Sequence, residues 1–234
     1  MSEQRIVLVT GGNKGLGFET ARRLRAAGKT VYIGARNAER GLAAADELGV
    51  AFVQLDVTDE ESVAAAAAEM EQREGRLDVL VNNAGISGTR KEAAEITGAD
   101  ASEAFETNVA GVVRVTHAFL PLLRRSDAPA IVNVSSGMGS FAAVNDETRV
   151  ESQVRVPLYS ASKAAVTMLT VQYAKQLSDI KVNAADPGYT ATDFNANRGT
   201  QTVTEGTDAI VELASIGVDG PTGTFVGRDG TVGW

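Results

Sequence analysis

The feature that most constrains the fold of this chain is a regular alternation between short apolar runs rich in β-branched residues and longer stretches rich in alanine. The short runs predict seven strands, at residues 5–10, 30–34, 50–55, 77–82, 130–135, 180–185 and 223–226. The stretches between them predict helices, near residues 15–28, 38–48, 59–74, 101–124, 157–178 and 204–217. Because the strands are continuously apolar, both faces of their sheet must be covered, which is typical of parallel sheets. The sequence therefore predicts one α/β domain over residues 1–234, doubly wound, with a seven-stranded parallel sheet and helices on both faces.

Composition excludes several classes of function. The chain has no cysteine, so disulfides and thiolate catalysis are excluded, and a reducing cytoplasm is the predicted location. Its single histidine, His117, lies in a predicted helix outside every motif, and we predict no metal site. A net charge of −8 argues against nucleic acid as a partner, since phosphates need a basic surface. No apolar run approaches the ~20 residues that span a bilayer, so no membrane association is expected. The N-terminal residues also lack the features of a signal peptide.

A glycine-rich segment, "TGGNKGLG" at residues 10–17, follows the first predicted strand and opens the first predicted helix. Without a Cβ, the backbone at such a turn can approach a pyrophosphate, and the helix N-terminus presents free N–H groups to the negative charge. The spacing of Gly11, Gly15 and Gly17 differs from the general G-x-G-x-x-G dinucleotide fingerprint. The segment predicts a dinucleotide phosphate site, and a tight turn without a ligand is the alternative.

Further motifs follow along the chain: "LDV" at 55–57, "NNAG" at 82–85, Asn108 in a predicted helix, "IVNVSS" at 131–136, "YSASK" at 159–163 and "DPGYTAT" at 186–192. With the glycine segment, these are the signatures of the short-chain dehydrogenase/reductase family, classical type, in the family's order and spacing. The chain resembles that family over nearly its whole length, and within it is most similar to carbonyl reductases and plant menthone-type reductases. The resemblance implies a Rossmann-like domain and a nicotinamide-dependent oxidoreductase.

The resemblance implies a catalytic set of Asn108, Ser136, Tyr159 and Lys163. Tyr159 and Lys163 are four residues apart, which is about one helical turn. Tyr159 would deliver a proton to the substrate oxygen, Ser136 would donate a hydrogen bond to it, and Asn108 would position a water near Lys163. An ammonium ~4.5 Å from the phenol, at an effective dielectric constant of ~20, favours the phenolate by about 3.7 kcal/mol. We therefore expect Lys163 to lower the pKa of Tyr159 toward neutrality.

Two adjacent serines compete for the catalytic position. In the family the catalytic serine usually lies three residues after the strand asparagine, here Asn133, and this spacing selects Ser136. Ser135 is then a strand-end residue whose hydroxyl lies in the packing.

Cofactor contacts also follow from the resemblance. It assigns them to Gly11, Asn13, Lys14, Gly15, Leu16, Gly17, Asp56, Val57, Asn83, Ala84, Gly85, Tyr159, Lys163, Pro187, Gly188, Thr190 and Thr192. Asp56 could equally cap the helix that follows it. Enzymes that prefer NAD commonly carry an acid about 20 residues after the glycines, whereas this chain has Ala35 and Arg36 there. A guanidinium can bind a 2′-phosphate bidentately, so we expect NADPH to be preferred over NADH. Alternatively, Arg36 is a solvated loop residue.

The chain departs from the family pattern between the catalytic serine and tyrosine, because Tyr159 lies 23 positions after Ser136, more than in most classical members. We expect the extra segment, 139–153, to form a loop or short helix over the site. Since such insertions can cover a tetramer surface, both a homo-oligomer and a monomer remain open. The candidate walls of an apolar substrate pocket, or alternatively core residues, are Phe141, Val144, Tyr189 and Phe194.

Together these features predict an NADPH-dependent reductase that converts a small ketone or aldehyde into an alcohol, with Tyr159 as general acid. An NAD(P)+-dependent alcohol dehydrogenase working in the oxidative direction would use the same residues. A non-catalytic dinucleotide sensor is the alternative outside enzymes, although this chain keeps both Tyr159 and Lys163. The sequence does not identify the substrate or the stereochemistry of the alcohol.

Overall fold

The computed structural model describes residues 4–234. Its strands are β1 (Ile6–Thr10), β2 (Thr30–Ala35), β3 (Ala51–Gln54), β4 (Val79–Asn82), β5 (Ala130–Val134), β6 (Lys181–Asp186), β7 (Phe225–Gly227) and β8 (Gly230–Thr231). Its α-helices are α1 (Gly15–Ala26), α2 (Ala38–Leu48), α3 (Glu60–Glu74), α4 (Gly98–Phe105), α5 (Gly111–Leu123), α6 (Phe141–Val144), α7 (Pro157–Gln176), α8 (Val203–Gly206) and α9 (Asp208–Leu213).

All eight strands form one sheet with the order β3-β2-β1-β4-β5-β6-β7-β8. Strands β1 to β7 pair in parallel, which confirms the predicted doubly wound α/β fold with its seven parallel strands. An eighth strand of two residues, β8, pairs antiparallel with β7 and was too short to be predicted. The chain leaves β1 toward β2 on one side and returns to β4 on the other. Loops therefore diverge at the carboxyl ends of β1 and β4, which is where such sheets bind ligands.

The sheet is buried on both faces, as its continuously apolar strands predicted. On one face, Leu8, Leu80 and Ile131 pack with Phe119 of α5 and Met70 of α3. On the other face, a second cluster joins alternate residues of the same strands to helices α1, α2 and α9. Because the two clusters share the central strands, the carboxyl ends of those strands are held in fixed register at one edge.

The single predicted helix over 101–124 is two α-helices joined by a π-helical turn, Glu106–Ala110. Asn108 lies in this turn and is buried. Single π turns of this kind frequently occur at functional sites. Nothing in the apolar pattern of the sequence distinguishes the turn from continuous α-helix.

Asp59, and not Asp56, caps helix α3. The Asp59 side chain accepts hydrogen bonds from the backbone N–H groups of Glu61 and Ser62. The Asp56 carboxylate instead accepts from the N–H and the hydroxyl of Thr58, at 3.0 and 2.7 Å. Of the two roles open to Asp56, helix capping is therefore excluded.

Gly139 allows the segment after β5 to pass directly over helix α7. A Cβ at this position would lie 2.5 Å from the Lys163 carbonyl carbon and 2.6 Å from the Ala164 nitrogen, both backbone atoms. Because backbone cannot move aside as a side chain can, any larger residue must separate the segment from the helix.

We predict that Gly139→Ala lowers the free energy of unfolding by about 3 kcal/mol. Gly98→Ala is the matched control, since a Cβ at Gly98 would meet no atom within 4 Å. Urea unfolding of the two variants checks the prediction, and equal midpoints would show that the contact at Gly139 is not tight.

Candidate active site

A cleft of about 910 Å³ opens at the carboxyl ends of the strands. Its volume falls within the range of small-molecule and cofactor sites. Every residue predicted to contact the cofactor lines this cleft, from the glycine segment through Arg36, Asp56 and Asn83 to Thr192. Ser136, Tyr159 and Lys163 line it too, so the fold brings three of the four predicted catalytic residues into the same cavity as the predicted cofactor contacts.

The glycine segment is held against β4 by Asn83. The Asn83 side chain donates to the Thr10 carbonyl at 2.8 Å, and the Asn83 N–H donates to the Thr10 hydroxyl at 2.9 Å. Gly17 must lack a side chain here, because a Cβ would lie 2.5 Å from both Asn83 Nδ2 and the Gly11 carbonyl oxygen. Gly11 itself has φ +64°, a left-handed conformation that favours glycine. The pattern of glycines thus reflects a packing requirement as well as access for a ligand.

The N-terminus of α1 fits a dinucleotide pyrophosphate. Its N-cap residue, Lys14, is extended and makes no side-chain cap, and the first turn carries no acidic residue. The first N–H groups of the helix therefore have no side-chain acceptor and lie at the positive end of the helix dipole. A Cβ on Gly15 would meet nothing closer than 3.9 Å, so the backbone is open toward the cleft.

Two cations lie at the end of this half of the cleft. Arg36 follows β2 directly and is exposed, and it makes no ion pair within residues 4–234. Lys14 is also exposed, with Nζ 3.9 Å from a carboxylate oxygen of Asp193. No carboxylate occupies the position after β2 where it would repel a 2′-phosphate.

Tyr159 lies on the first turn of α7, with Lys163 one turn further along the same helix. The Lys163 ammonium is buried and donates a hydrogen bond to the Val134 carbonyl at 2.7 Å. Its Nζ lies 5.7 Å from the centroid of the Tyr159 ring. Ser136 follows β5 and lies near enough to the Tyr159 hydroxyl to oppose the rise of its pKa. Tyr159 therefore has the Ser136 hydroxyl on one side and a cation near its ring.

The structure corrects the expectation that Lys163 brings the phenol toward neutrality. Burial raises the pKa of Tyr159 to about 12; the Ser136 hydrogen bond opposes this, and the nearby Asp186 carboxylate adds to it. Burial likewise lowers the pKa of Lys163 to about 8, while Asp186 raises it. The expectation failed because it placed the ammonium beside the phenol oxygen in a partly aqueous medium. In the fold, the ammonium is directed to a carbonyl and both groups are desolvated.

The hydroxyls of Ser135 and Ser136 have different environments, as the spacing from Asn133 predicted. The Ser135 hydroxyl is buried, donates to the Lys163 carbonyl at 3.0 Å and lies 2.7 Å from the Thr167 hydroxyl. It ties β5 to α7. Ser136 is half-buried, faces the cleft and accepts from the Met138 N–H at 3.2 Å. Both serines border the cleft, but the Ser135 hydroxyl is bound to protein atoms, so the Ser136 hydroxyl is the one available to a molecule there.

Asn108 is the one member of the predicted catalytic set outside the lining of the cleft. Its Oδ1 accepts from the Ile86 N–H at 2.8 Å. Its Nδ2 donates to the Ile86 carbonyl at 2.9 Å and to the Ser162 hydroxyl at 3.0 Å. The side chain therefore fixes the loop after β4 to helix α7, between Tyr159 and Lys163.

Sequence reasoning missed a pair of buried carboxylates beneath the catalytic residues. A Cβ on Gly137 would lie 2.4 Å from Glu151 Oε1 and 3.1 Å from Asp186 Oδ2, so the two carboxylates face each other across this glycine. Arg149 binds Glu151 at 2.9 and 3.2 Å, and Asp186 accepts from the Gly188 N–H at 3.0 Å. Burial raises the pKa of Asp186. The available signal was an acidic residue at the last position of a buried strand, β6.

The predicted pocket walls divide into two pairs. Tyr189 and Phe194 line the cleft, and the Phe194 ring centroid lies 5.5 Å from that of Tyr159. Phe141 and Val144 do not line it, and Phe141 is 73% exposed, so this half of the prediction is corrected. The reason is that α6 is bound to the end of the chain, with the Ala142 N–H donating to the Trp234 carbonyl at 3.0 Å. The second half of the insertion, from Val150, lines the cleft instead.

Other sequence features lie away from the cleft. His117 is exposed on α5, on the helix surface where it was expected. Within residues 4–234, no three histidine or acidic side chains group in a way that could hold a metal ion. The same part of the chain contains no helix that is both long and apolar enough to cross a membrane.

The fold and the cleft define an α/β enzyme that binds a nucleotide at the carboxyl edge of a parallel sheet. A family model described as short chain dehydrogenase matches residues 5–202. The chain belongs to that family. It is therefore an oxidoreductase, and its fold is a single Rossmann-like domain.

Individual relatives agree with this assignment. (+)-Neomenthol dehydrogenase from Capsicum annuum is 31% identical, across 96% of this chain and 96% of that protein. The structure of an NADPH-bound carbonyl reductase from chicken fatty liver has a TM-score of 0.87 at 29% identity, covering 99% of this chain and 100% of that chain. The structure of 3-ketoacyl-(acyl-carrier-protein) reductase from Brucella melitensis, complexed with NADH, has a TM-score of 0.84 at 25% identity, covering 96% of each chain.

We predict that Lys163→Met stabilises the fold by about 2 kcal/mol at pH 7, since it removes a buried ammonium at the loss of one hydrogen bond. The pKa of Lys163 is about 8 in the folded protein, against 10.5 in the unfolded reference. Burial of the charge therefore destabilises the fold fully below pH 8, and this effect disappears as pH rises to 10.5.

Thermal unfolding across this pH range checks the prediction, with Lys175→Met as the control because Lys175 is exposed on the same helix. A gain in melting temperature that did not shrink between pH 8 and 10.5 would contradict the assignment of the effect to the buried charge.

Proposed function

We propose that the protein reduces the carbonyl group of a small ketone or aldehyde to an alcohol, with NADPH as cofactor and Tyr159 as the proton donor. The observation that carries the proposal is the meeting of Tyr159, Ser136 and Lys163 on the wall of one cleft whose other half fits a dinucleotide. Membership of the family and a carbonyl reductase among its structural neighbours support the reaction class. When bound, the cofactor supplies a hydride for the carbonyl carbon and leaves as NADP+.

Tyr159 is suited to giving a proton to the carbonyl oxygen. With a pKa of about 12, its hydroxyl is fully protonated at neutral pH. An alkoxide is a much stronger base than a phenolate, so transfer from Tyr159 to the developing alkoxide is favourable. In the oxidative direction the same residue would act as a phenolate base, so the site can serve both directions. The ratio of reduced to oxidised cofactor decides between them.

Ser136 and Lys163 stabilise the charges that this transfer creates. Ser136 can donate a hydrogen bond to the substrate oxygen, because its hydroxyl faces the cleft next to Tyr159. The ammonium of Lys163 lies near the ring from which the proton leaves and stabilises the phenolate that remains. Lys163 is fixed before the reaction by its bond to the Val134 carbonyl of β5, and Ser136 by the bond that its hydroxyl accepts from the Met138 N–H. A non-catalytic sensor would have no need of this arrangement.

The preference for NADPH rests on Arg36 and Lys14. Structural neighbours include one complex with NADPH and one with NADH, so the comparisons do not decide between the cofactors. Arg36 is exposed, lines the cleft and is free of carboxylate partners within residues 4–234, and Lys14 lies in the same half. A guanidinium in this position can form charged hydrogen bonds with the 2′-phosphate of NADPH, whereas the 2′-hydroxyl of NADH offers it no negative charge.

We predict that Tyr159→Phe and Ser136→Ala each lower kcat by about 10²- to 10³-fold, because each removes a group that acts on the substrate oxygen. Ser135→Ala should keep most of the activity, since the Ser135 hydroxyl is already bound to the Lys163 carbonyl and the Thr167 hydroxyl. NADPH oxidation with aromatic and cyclic ketones and aldehydes measures turnover. Quenching of Trp234 fluorescence by NADPH would verify that the inactive variants still bind cofactor. Tyr159→Phe turning over at the wild-type rate would end the proposal.

We predict that Arg36→Gln raises the Michaelis constant for NADPH about tenfold and leaves that for NADH unchanged. Arg25→Gln is the matched control, because Arg25 is exposed at the other end of α1, away from the cleft. Steady-state kinetics with both cofactors provide the measurement. A wild-type enzyme that prefers NADH would refute the assignment.

A further inference from the structure

We call the half of the cleft next to Tyr159 the substrate half. Apart from the residues already assigned to catalysis or to the cofactor, it is lined by apolar side chains and by cations. Its apolar side chains are Ile86, Met138, Val150, Val154, Val156, Tyr189 and Phe194. Its cations are three arginines, Arg90, Arg155 and Arg198, which we call the arginine group. The combination suits a molecule with an apolar body and a charged end.

The charges of the arginine group are not neutralised by protein carboxylates. The guanidinium groups of Arg155 and Arg198 make no hydrogen bond or ion pair within the described chain. Arg90 makes one long hydrogen bond, at 3.4 Å, to the carbonyl of Phe194. By contrast, Arg114 and Arg125 on α5 and the turn that follows it are bound to carboxylates at 2.6 to 2.8 Å. In a chain of net charge −8, unpaired arginines that share one cavity are a distinct feature.

The acidic residues of the same half do not offset these cations. Glu151 is buried and bound by Arg149 at 2.9 Å. Asp193 lies 3.9 Å from Lys14. Asp186 is buried at the end of β6, where it accepts from a backbone N–H. The positive charge of the arginine group is therefore left facing the cleft.

Two members of the arginine group, Arg90 and Arg155, lie near the reacting position. Arg90 contacts Phe194, whose ring packs against that of Tyr159. Arg155 precedes Tyr159 by four residues and lies between two valines of the lining, Val154 and Val156. A carbonyl compound that contacts Tyr159 can therefore extend an anionic group toward Arg90 or Arg155 along the apolar wall, and Arg198 lines the same cleft.

We infer that the substrate carries an anionic group, a carboxylate or a phosphate, on an apolar body next to its carbonyl, and that the arginine group binds it. The inference rests on the proposed reductase function and adds the chemical class of the substrate. Guanidinium groups bind both kinds of anion through paired N–H donors. The inference is therefore to an anionic oxygen group, and the experiment distinguishes carboxylate from phosphate.

The test compares substrates that differ only in this charge. 4-Carboxybenzaldehyde is matched with its neutral methyl ester, methyl 4-formylbenzoate, and 4-formylphenyl phosphate provides the phosphate arm. We expect kcat/KM for at least one of the anions to exceed that for the ester by about tenfold, and added salt to reduce the ratio. The better of the two anions identifies the group. A ratio near one for both overturns the inference and leaves the reductase function standing.

Variants connect the preference to the arginine group. Arg155→Gln and Arg198→Gln should each lower the anion-to-ester ratio severalfold, without changing the Michaelis constant for NADPH. Arg124→Gln, an exposed arginine outside the cleft, should leave the ratio unchanged. If the substitutions weaken NADPH binding and not the anion preference, the arginines serve the cofactor and the inference is wrong.

A separate measurement covers failure of the reaction itself. If none of the three aldehydes is reduced, calorimetry measures their binding to the NADPH complex. Preferential binding of an anion that is lost in Arg155→Gln supports the anion site although the proposed reaction has failed. Equal binding of all three compounds rejects the anion site.

Discussion

The hydrogen bond from the buried Lys163 ammonium to the Val134 carbonyl is the contact on which the catalytic geometry depends. It joins α7 to the end of β5, and Ser135 joins the same two elements through its hydroxyl. Because Tyr159 lies on that helix and Ser136 follows that strand by two residues, the two bonds hold the proposed proton donor near the Ser136 hydroxyl. Burial of the Lys163 ammonium lowers the stability of the fold. Such a loss of stability is common where residues are arranged for function.

The cofactor half of the cleft is built by a similar cross-link between neighbouring strands. Asn83, at the end of β4, holds the glycine segment that follows β1 through two hydrogen bonds to Thr10. Gly17 allows the approach, since a side chain there would displace Asn83. Both halves of the cleft thus depend on polar side chains that connect adjacent strand ends. The apolar clusters on the two faces of the sheet keep those ends in register.

Charge is distributed unevenly around the catalytic residues. Below Tyr159 and Lys163 lie the carboxylates of Asp186 and Glu151, and burial raises the pKa of Asp186. Burial, and to a lesser extent the Asp186 charge, raises the pKa of Tyr159 as well, and the phenol is protonated at neutral pH. On the open side of the cleft the charged residues are mainly cationic. One cavity can therefore hold both a protonated Tyr159 and the arginines that we propose bind an anionic substrate, because the opposite charges lie on different sides of it.

The sequence by itself determined the parallel α/β fold and the places of the strands, and its family motifs contain residues that line the cleft. Apolar periodicity and motif spacing are local properties that can be read from the order of the residues alone. The tertiary structure alone decided the direction of the Lys163 ammonium, the raised pKa of Tyr159, the pairing of Asp186 with Glu151, and the turning of Phe141 away from the cleft. Each of these depends on which distant residues meet and on how much water they exclude. Neither quantity is encoded in the spacing of residues along one strand or helix.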